Sequence, residues 1–315
     1  MTLILNCLTD DYVLQVSDRR LTFAGGSRSG QVMDDDRNKA VVWNGIIAFA
    51  YTGVTPVDDE NTDIWLTRTL IDAAKAGLSL ELPPLLSFLR DSATSAFARL
   101  ARLHGRTFHH TFVGIGWAQR DQGQILPFIC SISNELDENG SWLAQAQTTF
   151  NWRGHAVSGS DTLLQFSSAG QPLDTAHVNR IQRELRRVIK GGAGPQSATR
   201  FLVEAVRSVA RRNKTVGSNL MVTCLPRKPA ERAILGERSI SLASASPKLE
   251  FNSFQYMSDR TTVSYGPHCI FGTQYIGDMK IDAPAGIDPT TGKINLASGS
   301  VQVCTQLPDP PKWRR

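Results

Sequence analysis

Apolar residues cluster in short runs over the first fifty positions of the chain. Two runs, at 2–8 and 12–17, flank a polar turn, and two more, at 39–43 and 46–51, flank the dipeptide Asn44-Gly45. Asn-Gly between two apolar runs is a strong signal for a tight hairpin turn. The pattern therefore predicts two consecutive β-hairpins, of which the first begins directly after Met1.

The spacing of apolar residues changes to a helical period after about residue 60. Helices are predicted at 63–76, 85–103, 175–190 and 195–212. Further strands are predicted at 110–118, 125–133, 146–157 and 219–225. Because strands and helices come in groups rather than in alternation, the order favours antiparallel sheets with helices on their outer faces, which is an α+β fold.

The composition of the chain changes at about residue 233, where Ser, Pro and Gly become frequent and apolar residues form only short β-like runs. We therefore divide the chain into a main domain at 1–232 and a β-rich C-terminal extension at 233–315. The last residues, "PDPPKWRR", are expected to be loose. Within the main domain, the Gly and Ser content of 24–32 predicts a flexible loop.

Composition limits the class of protein. Of the 315 residues, 41% are hydrophobic and 20% are charged, which is typical of a globular chain. The net charge of +5 is a small excess for this length and does not require a nucleic-acid partner. Five scattered cysteines without C-x-x-C spacing disfavour a disulfide scaffold or a zinc site and favour a reducing compartment.

The start of the chain does not fit a signal peptide, because it has no basic n-region and because its apolar run is cut by Asn6 and ended by Asp10-Asp11. No apolar run reaches the roughly 18 residues that a membrane span needs. We therefore expect a cytoplasmic protein with no membrane association.

Two further features have ordinary explanations. The predicted helix at 175–190 carries basic residues on one face, namely Arg180, Arg183, Arg187 and Lys190. A solvated face or a subunit contact is favoured over a nucleic-acid site, because base-stacking aromatic residues are absent from the run. The acidic clusters "DDDRNK" and "DDEN" and the pair His109-His110 do not have the ligand spacing of a metal site. We expect no metal and no cofactor.

Four residues with suitable chemistry for catalysis lie at the ends of the predicted strands. Thr2 starts the first strand and Asp18 ends the second, while Lys39 starts the third and Gly53 follows the fourth. In two adjacent hairpins these ends can lie at one edge of a sheet. Each residue alone also fits an ordinary turn or strand end. Together they predict that a hydroxyl, a carboxylate, an ammonium group and a backbone amide converge.

Together with the motifs "SDRR", "NKAVVWNG" and "IIAFAYTG", which contain Asp18, Lys39 and Gly53, Thr2 gives this segment a resemblance to proteasome β-subunits and bacterial proteasome-like peptidases, which are N-terminal nucleophile hydrolases. The intervals from Thr2 to Asp18 and from Lys39 to Gly53 match the family pattern. The interval between Asp18 and Lys39 is several residues longer. The resemblance covers about residues 2–226 and implies a four-layer αββα sandwich, with the C-terminal extension outside it.

The resemblance implies hydrolysis of peptide or other amide bonds by the Thr2 hydroxyl. Once Met1 is removed, the α-amino group of Thr2 would act as the base, since its reference pKa of about 7.7–8.0 lies near neutrality. Lys39 would favour the neutral form of that amine, and Asp18 would hold Lys39 by a charge-assisted hydrogen bond. The Gly53 amide would donate to the developing oxyanion, a contribution of about 3 kcal/mol.

The second half of the family pattern is matched less well. Ser158 in "HAVSGSD", with Ser160 as second choice, stands for a serine that the family has in a Gly-Ser turn. Asn213 and Val216 stand where the family has an Asp and a Ser. Since an asparagine cannot supply a carboxylate charge, the alternative is a catalytically inactive proteasome-like subunit with an assembly or binding role.

The family habit of stacking in rings predicts a homo-oligomer. The expected partners are therefore further copies of the chain and a peptide or amide substrate. The sequence does not give the identity of the substrate, the size of a ring or an ATPase partner.

Overall fold

The structure is a computed structural model. It describes residues 2–23, 30–35, 37–53, 57, 60–78, 82–120, 123–192, 194–234, 252–256, 267–277, 279–282, 300–303 and 307. These residues form a mixed α+β fold with two large sheets, which confirms the predicted class at that level.

The strands are, in chain order, Leu3–Leu8 (β1), Tyr12–Asp18 (β2), Leu21–Thr22 (β3), Val32–Asp34 (β4), Ala40–Trp43 (β5), Ile47–Gly53 (β6), His110–Gln119 (β7), Ile125–Ser133 (β8), Asn151–Ala156 (β9), Gln165–Gly170 (β10), Leu220–Pro226 (β11), Asn252–Tyr256 (β12), His268–Phe271 (β13), Gln274–Gly277 (β14), Met279–Asp282 (β15) and Ser300–Val303 (β16). The helices are Thr62–Lys75 (α1), Leu82–His104 (α2), Thr175–Lys190 (α3), Gly194–Ala210 (α4) and Arg227–Ile234 (α5).

The first predicted hairpin lies inside a five-stranded antiparallel sheet with the order β10-β1-β2-β11-β12. Every residue of β1 and β2 is buried, which requires cover on both faces of the sheet. On one face, Leu3 and Leu5 share a core with Ile181 and Leu185 of α3 and with Leu202 of α4.

Helix α3 shows why the sequence pattern is reliable here. The Asp174 side chain caps its start by accepting a hydrogen bond from His177 N at 2.6 Å. Apolar residues recur on one stripe, so Ile181 and Leu185 are buried while the basic residues face away from the core. The predicted pair of helices at 175–190 and 195–212 is thereby confirmed.

The second predicted hairpin lies inside a seven-stranded sheet with the order β14-β13-β5-β6-β7-β8-β9. This sheet is antiparallel except where β13 runs parallel to β5. Helices α1 and α2 pack on it: the Trp65 ring stacks on Phe112 at 5.5 Å, and the Phe97 ring lies 4.9 Å from Phe150.

The two sheets also contact each other. Ile4 of β1 packs against Ala50 of β6 and Val113 of β7. Gln15 Nε2 of β2 donates a hydrogen bond to the Val113 carbonyl at 3.3 Å. The hairpin that starts near Thr2 therefore lies against the hairpin that follows Lys39.

Some elements differ from the sequence expectation. Strand β10 is a partly buried edge strand whose small polar residues give no apolar alternation, so the pattern does not predict it. Strands β3 and β4 form a small sheet of their own, and β4 begins at the end of the 24–32 segment. Residues 24–29 lie outside the described residues. Helix α5 directly follows β11 and is also not predicted.

The C-terminal part adds strands to both large sheets. Strand β12 pairs with β11, and β13 and β14 extend the seven-stranded sheet beyond β5. The sequence boundary at 232/233 thus separates elements that share sheets. The runs at 261–266 and 308–315 lie outside the described residues. None of the helices just given has both the length and the apolar character needed to cross a membrane.

Candidate active site

Thr2 lies just before β1 and is buried, with 4% of its surface exposed. Its carbonyl accepts a hydrogen bond from Gln171 N at 2.7 Å. Gly170, which precedes Gln171 at the end of β10, has a φ of +85° and no room for a side chain, because a β-carbon there would collide with the Thr2 carbonyl. The β10 edge therefore fixes the backbone at Thr2.

Asp18 ends β2 and is completely buried. Its Oδ1 accepts a hydrogen bond from Leu3 N at 2.7 Å, and its Oδ2 accepts from Arg20 N at 3.1 Å and from Gly217 N at 3.0 Å. Three backbone donors supply the partners that a buried carboxylate needs. Through Leu3 N, the carboxylate also holds the peptide that follows Thr2.

Lys39 lies directly before β5 and has no exposed surface. Its Nζ donates a hydrogen bond to Thr2 Oγ1 at 2.6 Å and another to the Arg20 carbonyl, and it lies 3.7 Å from Asp18 Oδ2. Burial lowers the pKa of Lys39, while the charge of Asp18 acts in the opposite direction. The structure thus brings together the hydroxyl, the ammonium group and the carboxylate that the sequence predicts.

Gly53 ends β6 opposite His110 in the ladder. Its φ is +125°, and a β-carbon would collide with the His109 carbonyl and lie 2.6 Å from His110 Nδ1. Thr52, which precedes Gly53, lies close to the Thr2 segment. A β-carbon placed on Gly170 would be 3.0 Å from Thr52 Oγ1, and the same β-carbon would collide with the Thr2 carbonyl. The position requires glycine because of its backbone geometry and its close neighbours.

Ser158 is not brought to this site. It follows β9, whose end at Ala156 pairs with Phe128 near the start of β8, whereas the Gly53 end of the sheet is lined by the start of β7 and the end of β8. Antiparallel pairing therefore puts Ser158 at the opposite end of the seven-stranded sheet from Gly53. Ser158 and the second choice, Ser160, are both exposed.

Gln171 and Gly170 occupy the place beside Thr2 that the sequence interpretation gave to Ser158. Their only local signal is a glycine at the end of a short polar run that precedes a capped helix. The pairing of β10 with β1 joins residues 157 to 167 positions apart, so hairpin patterns could not reveal it. The Arg20 carbonyl, which accepts from Lys39, carries no sequence signal at all.

Asn213 and Val216 shape the turn that reaches Asp18. Asn213 Oδ1 accepts hydrogen bonds from Thr215 N at 2.9 Å and Thr215 Oγ1 at 2.8 Å, and the Val216 side chain is completely buried. The turn presents Gly217 N to Asp18. Asn213 thus acts on the Asp18 carboxylate only indirectly, by holding the turn whose Gly217 N–H donates to Asp18.

The arrangement has clear chemical consequences. A hydroxyl that accepts a hydrogen bond from a buried amine or ammonium group is easier to deprotonate, because the donor stabilises the alkoxide. Over the described ranges, no three or more His, Cys, Asp or Glu side chains are grouped as a metal site.

A scan against protein-family models and a search of curated proteins each return no match for this chain.

Proposed function

We propose that this chain is a threonine-type N-terminal nucleophile hydrolase that cleaves peptide or other amide bonds by acyl transfer to Thr2. The observation that carries the proposal is the 2.6 Å hydrogen bond from Lys39 Nζ to Thr2 Oγ1 in a buried setting, with Asp18 behind the lysine. These three residues come from the strand ends at which such chemistry was expected from the sequence.

The arrangement of layers supports the proposal. One sheet carries α3 and α4, the other carries α1 and α2, and the sheets contact each other through Ile4, Ala50 and Val113. This is the order of layers expected of an αββα sandwich over residues 2–226, which is the architecture that we propose for the main domain.

The proposed reaction uses the free α-amino group of Thr2, which exists only after Met1 is removed. The amine takes the proton from Oγ1, and Oγ1 forms a bond to the substrate carbonyl carbon. The resulting oxyanion collapses, the C–N bond breaks, and the leaving amine takes the proton from the Thr2 ammonium group. Water, deprotonated by the same amine, then hydrolyses the ester and regenerates the threonine.

Lys39 and Gly53 have separate roles in this scheme. The lysine donates to Oγ1 and stabilises the alkoxide as it forms, while Asp18 keeps the lysine in place. The Gly53 amide, at the end of β6 next to the Thr2 segment, is proposed to donate to the oxyanion.

The alternative is an inactive subunit with an assembly or binding role. It is favoured by the buried, apolar Val216 and by the absence of a carboxylate at Asn213, whose side chain is used within its own turn. In this case a homo-oligomer is expected without any reaction at Thr2, and light scattering would detect the assembly.

The deciding experiment combines intact mass with covalent labelling. The protein is purified from its native host and treated with a peptide epoxyketone, which reacts with both the hydroxyl and the amine of an N-terminal threonine. We expect a mass without Met1 and one adduct on Thr2. Thr2→Ala should abolish the adduct, Thr2→Ser should retain part of the labelling rate, and the exposed control Thr107→Ala should label normally. Quantitative retention of Met1 would exclude the mechanism.

A further inference from the structure

Strands β13 and β14 form a C-terminal hairpin, residues 268–277, that lies beside β5, the strand that follows Lys39. Strand β13 runs parallel to β5, with His268 paired to Val41, two residues after Lys39. Asn44 at the other end of β5 donates from its N–H to the Ile270 carbonyl at 2.7 Å. The C-terminal hairpin therefore borders β5 from Val41 to Trp43.

The same hairpin reaches toward the site through side chains. His268 is 2% exposed, its Nδ1 lies 2.8 Å from the Tyr275 hydroxyl, and its Nε2 lies 3.0 Å from Asp63 Oδ2. The other carboxylate oxygen, Asp63 Oδ1, accepts a hydrogen bond from Arg37 at 3.2 Å. A chain of four polar side chains thus links β14 to the segment in front of Lys39.

Arg37 is itself connected to the Asp18 side of the site. Its N–H donates to the Arg19 carbonyl at 3.1 Å, and Arg19 Nε donates to the Arg37 carbonyl at 3.1 Å. Tyr51 also holds the next residue, because its hydroxyl donates to the Asn38 carbonyl at 3.3 Å. The residues that precede Lys39 are therefore fixed on several sides.

Burial of the charged groups in this network costs desolvation free energy. Stabilisation of the fold alone therefore does not account for their presence. Burial would raise the pKa of Asp63, but the hydrogen bond and charge of His268, together with Arg37, outweigh it and lower the pKa. The carboxylate is therefore held ionised between two partners. Such a network restricts the conformations available to the backbone that carries it.

We infer that the C-terminal hairpin is a positioning element for Lys39, acting through His268, Asp63 and Arg37 as well as through its pairing with β5. None of these side chains is bonded to Thr2, so their role is to hold the lysine rather than to react. The catalytic consequence rests on the proposed function of Thr2.

The test uses the full chain with two readouts. The first is the titration of the Lys39 side chain by NMR with isotope-labelled lysine, assigned with Lys39→Arg. The second is the rate of epoxyketone labelling of Thr2 as a function of pH. In His268→Ala we expect the pKa of Lys39 to move up toward its ordinary value as water reaches the amine, although Asp18, Arg19 and Asp34 still face it. The labelling rate should fall on the order of tenfold, with a shifted pH profile.

Tyr275→Phe removes the hydroxyl that lies 2.8 Å from His268 Nδ1 and keeps the ring, so it should produce a smaller shift in the same direction; it also decides the matter if His268→Ala does not fold. The control is His155→Ala, which removes an exposed imidazole bonded to Gln165 at 3.0 Å. An unchanged Lys39 titration in a folded variant overturns the inference. If wild-type Thr2 is never labelled but the Lys39 titration shifts, the proposed function fails while the positioning role stands.

Discussion

Lys39 and His110 are two buried basic side chains; Lys39 directly precedes β5 and His110 begins β7, and both strands pair with β6. Lys39 donates to two oxygens and faces Asp18. His110 is surrounded by the rings of Tyr51, Phe97 and Phe112, with centroids 4.5 to 5.9 Å away. Neither ring nitrogen of His110 has a hydrogen-bond partner among the residues that the structure describes.

The difference separates two kinds of buried environment. Burial lowers the pKa of both groups, but only Lys39 has a nearby carboxylate that opposes the effect. For His110, burial acts alone and lowers the pKa to about 3, so the imidazole is neutral at physiological pH. His110 therefore contributes to packing, and the proton transfer that we propose belongs to the polar environment around Thr2.

The largest expected effect tests the polar environment. Lys39→Met keeps the volume of the buried stem but removes the donor to Thr2 Oγ1. We expect the rate of Thr2 labelling to fall on the order of 10³-fold, since the alkoxide loses its stabilising partner. The control is Lys75→Met, which removes an exposed lysine paired with Asp72 at 3.0 Å. Labelling of Lys39→Met at the wild-type rate would show that the lysine has no part in the reaction.

The next largest effect is expected at Gly53, which lies between the Thr2 segment and His110. In Gly53→Ala, the new methyl group meets the His109 carbonyl and His110 Nδ1 at a φ of +125°. We expect a loss of about 2–4 kcal/mol in the free energy of unfolding, measured in urea. Gly77→Ala is the matched control, because Gly77 has a φ of +80° and open space around it. Equal losses in the two variants would mean that the close contacts with His109 and His110 are unimportant.

A smaller effect tests the aromatic environment by pH. The unfolded chain binds a proton at His110 with an ordinary pKa of about 6.5, whereas the folded chain does not until about pH 3. The stability that this difference contributes is present above pH 6.5 and is lost as the pH falls toward 3. From pH 8 to 5 the loss is about 2 kcal/mol.

His110→Phe should remove that pH dependence, and His155→Phe at an exposed position should retain it. Urea unfolding at several pH values measures the slope. If the slope in His110→Phe equals that of the wild type, folding does not lower the pKa of His110 and the comparison with Lys39 fails.

The sequence predicts the local parts of this molecule well. The positions of Thr2, Asp18 and Lys39 follow from two hairpins, each closed by a short turn, and hairpin register is set by nearby residues. Strand β10 and the pairing of β13 with β5 join distant parts of the chain through short or small-residue strands, which carry no periodic signal. For the same reason Gln171 and His268 were not identified from the sequence.

The smallest expected effect concerns Ser158. The polar environment around Thr2 ends at Gly170 and Gln171, while Ser158 is exposed at the other end of the seven-stranded sheet. We therefore expect Ser158→Ala to change the rate of Thr2 labelling by less than about twofold, since surface substitutions away from special features usually shift free energies by under about 0.5 kcal/mol. Gly170→Ala, made in parallel, places a methyl group against the Thr2 carbonyl and should slow labelling far more. A tenfold loss in Ser158→Ala with no loss in Gly170→Ala would mean that Ser158 reaches Thr2 after all, and that the polar environment extends beyond the β10 edge.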